Sequence, residues 1–425
     1  MVSFIQGAIE KTVFEEQSKN MKEELSNENK DPLVNNEENK ETQPEIITTK
    51  TETIDEKNPE KEITITKKTN NSIAPINNLA DEELAEILSK QEAKIRVVGC
   101  GGAGCNTLNR INELGITGAE TIIINTDAQD LLAGNADEKI LIGKDLTKGL
   151  GAGGKPQIGR DSAKESEKAI RESLAGSDLV FITCGLGGGT GTGSAPVVAD
   201  IARKTGALVV TIATVPFKME GGRRMENAML GAQMLEKSSD TLILIPNDKL
   251  LSIAQDLPLQ TAFKVADEIL ASAVKGITEL ITTTGLVNLD FADLTTVLGN
   301  GGISLIGVGE SDSENKAQEA VDKVLDNPLL DVDITGAQGA IINVIGGSDM
   351  RLDEAKTIVE KITERLDSHA RVIWGAQISE DMEGTIKVLL VITGVDSEHK
   401  SEFHIKKGLH NNRDELEDSL GIRFV

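Results

Sequence analysis

The chain has 425 residues and a formal net charge of -25. A single hydrophobic core stops growing at roughly 250 to 300 residues, so this length predicts two domains with additional segments. The acidic surplus argues against a nucleic-acid partner, because phosphate backbones are bound by surplus lysine and arginine.

Residues 1–78 are predicted to form a mostly disordered acidic extension. Between Glu15 and Asn78 the chain is nearly empty of aromatic residues, so it cannot bury enough apolar surface to offset the entropy of ordering. Ahead of it, apolar residues from Val2 to Val13 recur at helical spacing. They fit a helix that docks on a membrane or partner, or a marginal terminal helix, and nearby glutamates favour the second. A further amphipathic helix is predicted over residues 79–93.

From Lys94 onward, short apolar strands alternate with helical stretches. The predicted strands are residues 95–98, 121–124, 179–183, 207–213 and 241–245. This alternation predicts a parallel sheet that is covered on both faces. Ligands of such sheets lie at the carboxyl ends of the strands, which is where the glycine clusters of this chain fall.

A long helix over residues 261–281 carries apolar side chains almost all round, which predicts a buried central strut between two domains. Beyond Asn288 strands and helices alternate again, but the last two strands follow each other without a helix between them. This predicts a smaller mixed α/β domain. Its elements are strand 303–308, helix 314–325, strand 340–345, helix 352–366 and strands 371–376 and 385–393.

Cys100, Cys105 and Cys184 lie in or beside apolar strands and glycine loops. This odd set predicts buried, reduced thiols in a cytoplasmic protein. No apolar run reaches the 18 or so residues of a membrane span, and the N-terminus lacks the layout of a signal peptide.

The first glycine cluster, residues 99–104, has the pattern G-x-G-x-x-G after a strand and before a helix. Together with Asp127 after the second strand, it fits a dinucleotide site and therefore an NAD-dependent oxidoreductase. The pattern alone is weak, because any phosphate at a helix N-terminus needs the same close backbone approach.

The second cluster, residues 149–155, matches G-x-x-x-x-G-K, but Pro156 stands where a P-loop needs a hydroxyl for Mg²⁺. A P-loop is therefore rejected. Two interpretations of this cluster remain: a loop that covers a phosphate, and a mobile surface turn.

The third cluster, residues 187–196 (GGGTGTGSAP), lies between a strand and a helix that is expected to open with Pro196 in its first turn. So many glycines are conformationally costly, and two threonines and a serine add hydroxyl donors. This cluster predicts a phosphate cradle.

The third cluster resembles the signature of the tubulin/FtsZ family, and within it the archaeal cell-division members. Further loops agree in order: NTDAQ (125–129), GLGAG (149–153), VPF (215–217), IPND (245–248) and NLDFAD (288–293). The resemblance covers about residues 94–395. It implies a tubulin-like α/β fold, in which a Rossmann-type parallel-sheet GTP-binding domain is joined by a long central helix to a smaller mixed α/β domain.

The resemblance further implies a GTPase activated by polymerisation, with GTP or GDP and Mg²⁺ as cofactors. The nucleotide would be bound by Gly101, Gly102, Ala103, Gly104, Cys105, Asn106, Asp127, Gly151, Ala152, Gly153, Gly188, Gly189, Thr190, Gly191, Thr192, Gly193, Pro216, Glu220, Arg224, Asn247, Phe263 and Asp267.

Among these, Phe263 would stack on the base and Asp267, one helical turn on, would accept the two donors of guanine. Without the resemblance, Asp267 reads as a partly buried polar residue. The resemblance also implies that Glu220 and Arg224 contact the ribose and phosphates; without it, Glu220, Arg223 and Arg224 read as a solvated charged face.

The implied catalytic residues are Asp290, Asp293 and Asn288. From the sequence alone, Asn288 or Asp290 is a helix N-cap, and Asp293 is favoured in the first turn by the helix dipole. In the family this loop enters the nucleotide site of the next subunit and polarises the attacking water. Head-to-tail contacts of this kind give open filaments.

The resemblance divides the chain into the extension 1–78, a GTP-binding domain 79–283 with the central helix, a GTPase-activating domain 284–395 and a tail 396–425. The partners would be further copies of the chain and a SepF-like membrane-tethering adaptor at the mid-cell division site in the cytoplasm. The apolar tip of the tail, residues 416–425, would bind that adaptor or fold back on the smaller domain.

Overall fold

The computed structural model describes residues 93–249, 259–283, 285–287, 289–330, 334 and 337–395. The predicted extension 1–78, nearly all of helix 79–93, the tail 396–425 and Asn288 lie outside these ranges. Within them, no helix combines the length and the apolar character that crossing a membrane requires. The predicted domain boundaries remain predictions.

Six parallel strands form the first part of the sheet, in the order β3-β2-β1-β4-β5-β6. They are β1 (Ile95–Cys100), β2 (Ala119–Asn125), β3 (Glu138–Leu141), β4 (Leu179–Gly185), β5 (Leu208–Val215) and β6 (Thr241–Pro246). Alternate side chains enter two different buried layers: in β4, Phe181 belongs to one layer and Ile182 to the other. The predicted parallel sheet is confirmed, and burial of both faces explains why its strands read as continuous apolar runs.

Helices surround these strands. They are α1 (Gly101–Glu113), α2 (Ala128–Ala133), α3 (Lys144–Thr147), α4 (Pro156–Glu165), α5 (Glu167–Leu174), α6 (Thr190–Lys204), α7 (Gly222–Ser238) and α8 (Leu259–Thr282). The chain runs outward from β1 to β3 on one side and starts again at β4 on the other. The strand order therefore reverses between β1 and β4, and a crevice opens there at the carboxyl ends of the strands.

The remaining strands make a mixed sheet, as predicted. Its elements are α9 (Phe291–Leu298), β7 (Gly302–Ser311), α10 (Lys316–Leu325), β8 (Gly339–Gly346), α11 (Leu352–Thr363), β9 (Arg371–Ile378) and β10 (Ile386–Thr393). β10 pairs antiparallel with both β7 and β8, whereas β8 and β9 are parallel. β7 also pairs with β6 through residues 302–304, so it joins the two parts into one ten-stranded sheet.

Helix α8 is buried on several sides, as its sequence predicted. Leu270, Val274 and Ile277 are at most 2 % exposed. The backbone carbonyl of Gly276 accepts a hydrogen bond from Asn343 Nδ2 on β8 (3.0 Å), and a Cβ at Gly276 would lie 2.6 Å from the side chain of Leu389 on β10. A side chain at this glycine would have to displace the end of the Leu389 side chain.

Two sequence expectations need correction. Pro196 is not in the first turn of its helix, because α6 already begins at Thr190. The end of the third glycine cluster is already helical. Pro196 therefore lies in the helix interior, where it supplies no amide donor. Strand β3 has no counterpart among the predicted strands, because it lies at the sheet edge and of its four residues only Ile140 is buried. The three cysteines are buried and free, as predicted.

Candidate nucleotide site

The carboxyl ends of β1 and β4 bring the first and third glycine clusters into contact. Helix α1 begins at Gly101 directly after β1, and α6 begins at Thr190 shortly after β4. Gly101 has a φ of +72°, and a Cβ there would lie 2.7 Å from the backbone nitrogen of Gly191. Two helix N-termini, with free N–H groups and positive dipole ends, thus meet at one place and favour an anion.

A cavity of about 360 Å³ opens at this contact. That volume lies in the range of small-molecule sites, roughly 300 to 1,000 Å³. Its lining includes the predicted residues Gly102, Ala103, Asn106, Gly188, Gly189, Thr190, Gly191, Pro216, Glu220, Arg224, Asn247, Phe263 and Asp267. The structure therefore gathers residues from the ends of four strands and from α8 around one cavity.

Four residues of the lining are absent from the predicted set: Cys100, Gly185, Leu186 and Thr214. They lie at or next to the carboxyl ends of β1, β4 and β5. The rule that ligands lie at the carboxyl ends of strands would have found them. Motif matching alone passes over them.

The third glycine cluster is open toward the cavity and packed on its other side. A Cβ at Gly188 would have no other atom within 4 Å, whereas at Gly191 it would lie 2.8 Å from the carbonyl oxygen of Gly185. The hydroxyl of Thr192 accepts a hydrogen bond from the amide of Gly187 (2.9 Å), which fixes the turn. The cluster is therefore a fixed turn whose backbone faces the cavity without side chains.

Nine predicted nucleotide residues lie outside this lining: Gly101, Gly104, Cys105, Asp127, Gly151, Ala152, Gly153, Thr192 and Gly193. Some have structural roles. Gly104 lets α1 approach β1, because its Cβ would lie 2.7 Å from the backbone of Gly99. Asp127 is the N-cap of α2 and accepts from the amides of Gln129 and Asp130. Their contact with a nucleotide remains a prediction.

The second glycine cluster is tied to the third. The amide of Gly151 donates to the carbonyl of Thr126 (3.2 Å), whose hydroxyl lies 2.6 Å from that of Thr190. Ala152 is buried, and a Cβ at Gly189 would lie 2.8 Å from its Cβ. These contacts hold the loop beside the cradle; whether it covers a phosphate remains a prediction.

An aromatic pair forms another part of the site. Phe217 is buried, and its ring centroid lies 5.2 Å from that of Phe263 at an interplanar angle of 78°. This edge-to-face contact orients Phe263, which is 41 % exposed and lines the cavity. An exposed, oriented ring is suited to stacking on a nucleobase.

Asp267 lies one turn along α8 from Phe263 and also lines the cavity. Burial raises the pKa of its carboxyl group from 3.8 to about 7, against the opposing effect of a hydrogen bond from Thr107. Thr107 Oγ1 lies 3.4 Å from Asp267 Oδ1. Thr107 is not among the residues predicted from the sequence, although it lies one helical turn from Ala103 in the first cluster.

Three further polar side chains line the cavity. Glu220 ion-pairs with Arg224 and accepts from the amide of Phe217 (2.8 Å), the residue whose ring contacts Phe263. The side-chain oxygen of Asn247 is buried and, among the described residues, has no hydrogen-bond partner. An orphaned acceptor in the wall of a cavity is suited to a ligand donor.

The predicted catalytic aspartates lie away from the cavity. Asp290 is the N-cap of α9 and accepts from the amide of Ala292 (3.2 Å), and both Asp290 and Asp293 are exposed. Helix α8 extends about 22 Å beyond Asp267 before this loop begins. At the end of α8 the hydroxyl of Thr282 donates a hydrogen bond to the carbonyl of Thr117 (3.0 Å). Thr117 precedes β2, so this end of α8 lies at the amino ends of the parallel strands, opposite the cavity. These carboxylates therefore do not reach the cavity of their own chain.

Comparison with known proteins identifies two domains. Residues 94–255 match the Tubulin/FtsZ family, GTPase domain, and residues 302–396 match the FtsZ family, C-terminal domain. Cell division protein FtsZ 1 of Pyrococcus horikoshii is 59 % identical over 319 residues, which cover 75 % of this chain and 86 % of that protein. FtsZ 1 of Methanocaldococcus jannaschii is 59 % identical over 317 residues, covering 75 % and 87 %.

Solved structures agree. An empty FtsZ dimer from M. jannaschii has a TM-score of 0.72 and 58 % identity, covering 75 % of this chain and 93 % of that one. CetZ2 from Haloferax volcanii, solved as a GTPγS-bound protofilament, has a TM-score of 0.63 at 20 % identity, covering 77 % and 99 %, and shows the fold alone. None of these matches supports an NAD-dependent oxidoreductase.

Proposed function

The chain belongs to the tubulin/FtsZ family of GTPases, in its cell-division branch, and from this membership we propose how its own residues perform the reaction. The cavity binds GTP and GDP, copies of the chain associate head to tail, and each junction between two copies completes a hydrolytic site. The observation that carries this proposal is the cavity at the β1–β4 crevice. It joins a bare glycine cradle with Phe263 and Asp267.

The two parts of the cavity suit the two ends of a nucleotide. The cradle between Gly188 and Gly191 receives the phosphates at the N-termini of α1 and α6. Phe263 stacks on the base. Asp267 accepts the amino and ring N–H donors of guanine, whereas adenine offers a bare ring nitrogen at the corresponding position. Asp267 therefore selects guanine.

Hydrolysis needs a second subunit. Asp290 and Asp293 are exposed at the far end of α8 and can face the cavity of the next copy. There their carboxylates would accept hydrogen bonds from the attacking water and orient it toward the γ-phosphate. Asn288 belongs to the same proposed loop. Carboxylates close to phosphate are electrostatically unfavourable, so supplying them from the neighbour couples turnover to assembly.

Magnesium is proposed to enter with the triphosphate. Among the residues that the structure describes, no cluster of three or more His, Cys, Asp or Glu side chains could hold a metal ion. Mg²⁺ in nucleotide sites usually takes only one or two carboxylates and completes its shell with phosphate oxygens and water. The nucleotide phosphates would therefore supply most of its ligands, and the chemistry of the bound ion would be to neutralise phosphate charge.

The direct test compares nucleotides in sedimentation and phosphate release. With GTP and Mg²⁺ the full chain should pellet and release phosphate, and with GDP, ATP or NAD⁺ it should do neither. Phosphate release separates a GTPase from a polymer that only binds nucleotide. Binding of NAD(H) with no binding of GTP would sink the proposal.

A pH dependence follows from Asp267. Guanine requires its ionised form, whereas the ligand-free carboxyl has a pKa of about 7. Moving from pH 8 to pH 6 should therefore weaken GDP binding about tenfold, as measured by calorimetric titration. Asp267→Asn should flatten this profile, and a wild-type affinity that does not change across the range would contradict the assignment.

In the ligand-free protein, the effect of Asp267 on stability depends on pH with the opposite sign to its effect on GDP binding. The folded state holds this proton more tightly than the unfolded chain, whose carboxyl has an ordinary value of 3.8. The contribution of Asp267 to the free energy of unfolding therefore falls as the pH rises between these two values. Bound GDP opposes this loss.

The tail is proposed to bind a SepF-like membrane-tethering adaptor at the mid-cell division site. The support is the family membership and the apolar tip 416–425, which lies outside the described residues. A chain ending at residue 415 should pellet and hydrolyse GTP as the full chain does, yet lose adaptor binding. Unchanged adaptor affinity would refute this assignment.

A further inference from the structure

The hydroxyl of Thr107 lies between two acceptors at the base end of the cavity. Thr107 is on α1 and is 1 % exposed. Its Oγ1 lies 3.0 Å from the carbonyl oxygen of Ala103, one turn earlier in the same helix, and 3.4 Å from Asp267 Oδ1 on α8. One hydroxyl has one proton, so Thr107 donates fully to only one of these oxygens at a time.

The protonation of Asp267 decides which acceptor receives that proton. A neutral carboxyl group can donate its own proton to Thr107, and Thr107 then donates to Ala103. An ionised carboxylate can only accept, so Thr107 turns its proton toward Asp267. At 3.4 Å the contact between Thr107 and Asp267 is long for an O–H···O hydrogen bond, and the hydroxyl lies closer to the carbonyl of Ala103, at 3.0 Å.

Thr107 is the only hydrogen-bond partner of this carboxyl group within the described ranges. Two arginines near this carboxyl group form ion pairs with other residues. Arg110 of α1 pairs with Glu113 and with Glu268 of α8, and Arg224, which also lines the cavity, pairs with Glu220. Lys264 is the remaining charged neighbour on the same turn of α8. No charge among these contributes to the shift of the Asp267 carboxyl.

We infer that Thr107 is a positioning residue for guanine recognition, whose hydroxyl holds Asp267 in the rotamer and charge state that the base requires. The inference rests on the proposed GTP site and deepens it. When Thr107 donates to Oδ1, one lone pair on Oδ1 and both on Oδ2 remain for the two guanine donors. Thr107 itself does not touch the nucleotide.

The experiment measures GDP and ADP affinity of the full chain between pH 6 and 9 for wild type, Thr107→Val and Thr107→Ser. Valine keeps the shape and removes the hydroxyl, whereas serine keeps the hydroxyl. Losing a hydrogen bond to a charged group should weaken GDP binding on the order of tenfold at pH 7. It should also move the midpoint of the pH profile up by about one unit. Thr107→Ser should behave as wild type, and ADP affinity should be the same in all three.

A matched control uses Thr363→Val on α11. Thr363 makes the same one-turn hydrogen bond, to the carbonyl of Val359 (2.7 Å), but does not line the cavity. It should leave both profiles unchanged. If Thr107→Val does not fold, Thr107→Ala carries the same comparison with a smaller side chain.

The outcomes separate this inference from the proposed function. If Asp267→Asn loses the preference for GDP over ADP while Thr107→Val keeps the wild-type affinity and midpoint, the role of Thr107 is overturned. An equal loss for GDP and ADP at every pH would also overturn it, since that is a general packing effect. If Asp267→Asn keeps the full guanine preference, the base-recognition proposal itself fails.

Discussion

Asp290→Asn should bind GTP and assemble, yet release phosphate at least about a hundredfold more slowly than wild type. Asparagine is as good an N-cap as aspartate, so α9 keeps the hydrogen bond to the amide of Ala292 and its stability. Only the negative charge is lost. Removing a group that orients or activates the reacting water typically costs a factor of 10² to 10⁴. Sedimentation and phosphate release, measured on the same sample, separate assembly from turnover.

Asp353→Asn is the matched control, because Asp353 is an exposed aspartate in the first turn of α11, in the same part of the chain. It should turn over GTP at the wild-type rate. If Asp290→Asn also keeps that rate, the loop is not catalytic.

Complementation tests whether Asp290 acts on the neighbouring subunit. A mixture of wild type and Asp290→Asn is uninformative, because its rate scales with the wild-type fraction whether the loop acts within or between chains. The informative mixture combines two variants at a GTP concentration too low to fill the Gly188→Ala cavity: Asp290→Asn, which holds GTP, and Gly188→Ala, which keeps the loop. Phosphate release should reappear where an intact loop meets an occupied cavity. If both variants pellet together and the mixture stays inactive, catalysis across the junction is refuted.

Gly188→Ala should fold normally and lose GDP and GTP affinity by roughly ten- to a hundredfold. This is the cost of placing a methyl group where the nucleotide phosphates would bind. A Cβ at Gly188 meets no atom of the protein within 4 Å and has no positive φ to strain, so it enters only the open cradle. The unfolded chain loses entropy, so the variant should be slightly more stable. Calorimetric titration and thermal unfolding measure the two effects separately.

Two other glycines provide the comparison. Gly222, at the start of α7, is also free of nearby atoms but does not line the cavity, so Gly222→Ala should gain stability without losing affinity. Gly191→Ala should lower the melting temperature, because its Cβ would lie 2.8 Å from the carbonyl oxygen of Gly185. An unchanged nucleotide affinity in Gly188→Ala would remove the cradle from the proposed site.

Local patterns were enough to predict most strands and the long helix. The parallel strands could be predicted because burial on both faces makes each a continuous apolar run, and α8 because its apolar residues occupy nearly its whole circumference. The edge strand β3 has one buried residue and carries no such pattern. The start of α6 was misjudged because a proline at the first turn is a general preference, whereas here the glycine cluster itself winds into the helix.

The sequence by itself determined the fold class, the family and the phosphate-binding character of the third glycine cluster, because these depend on local periodicity and on several loops in a defined order. Only the tertiary structure decided which residues share the cavity. It separated Gly188, which is bare toward the cavity, from Gly104, which lets α1 approach β1. It also brought Thr107 and Asp267, 160 residues apart, within 3.4 Å and placed Asp290 at the opposite end of α8. Such relations depend on the strand order and on how the helices pack, which no local pattern encodes.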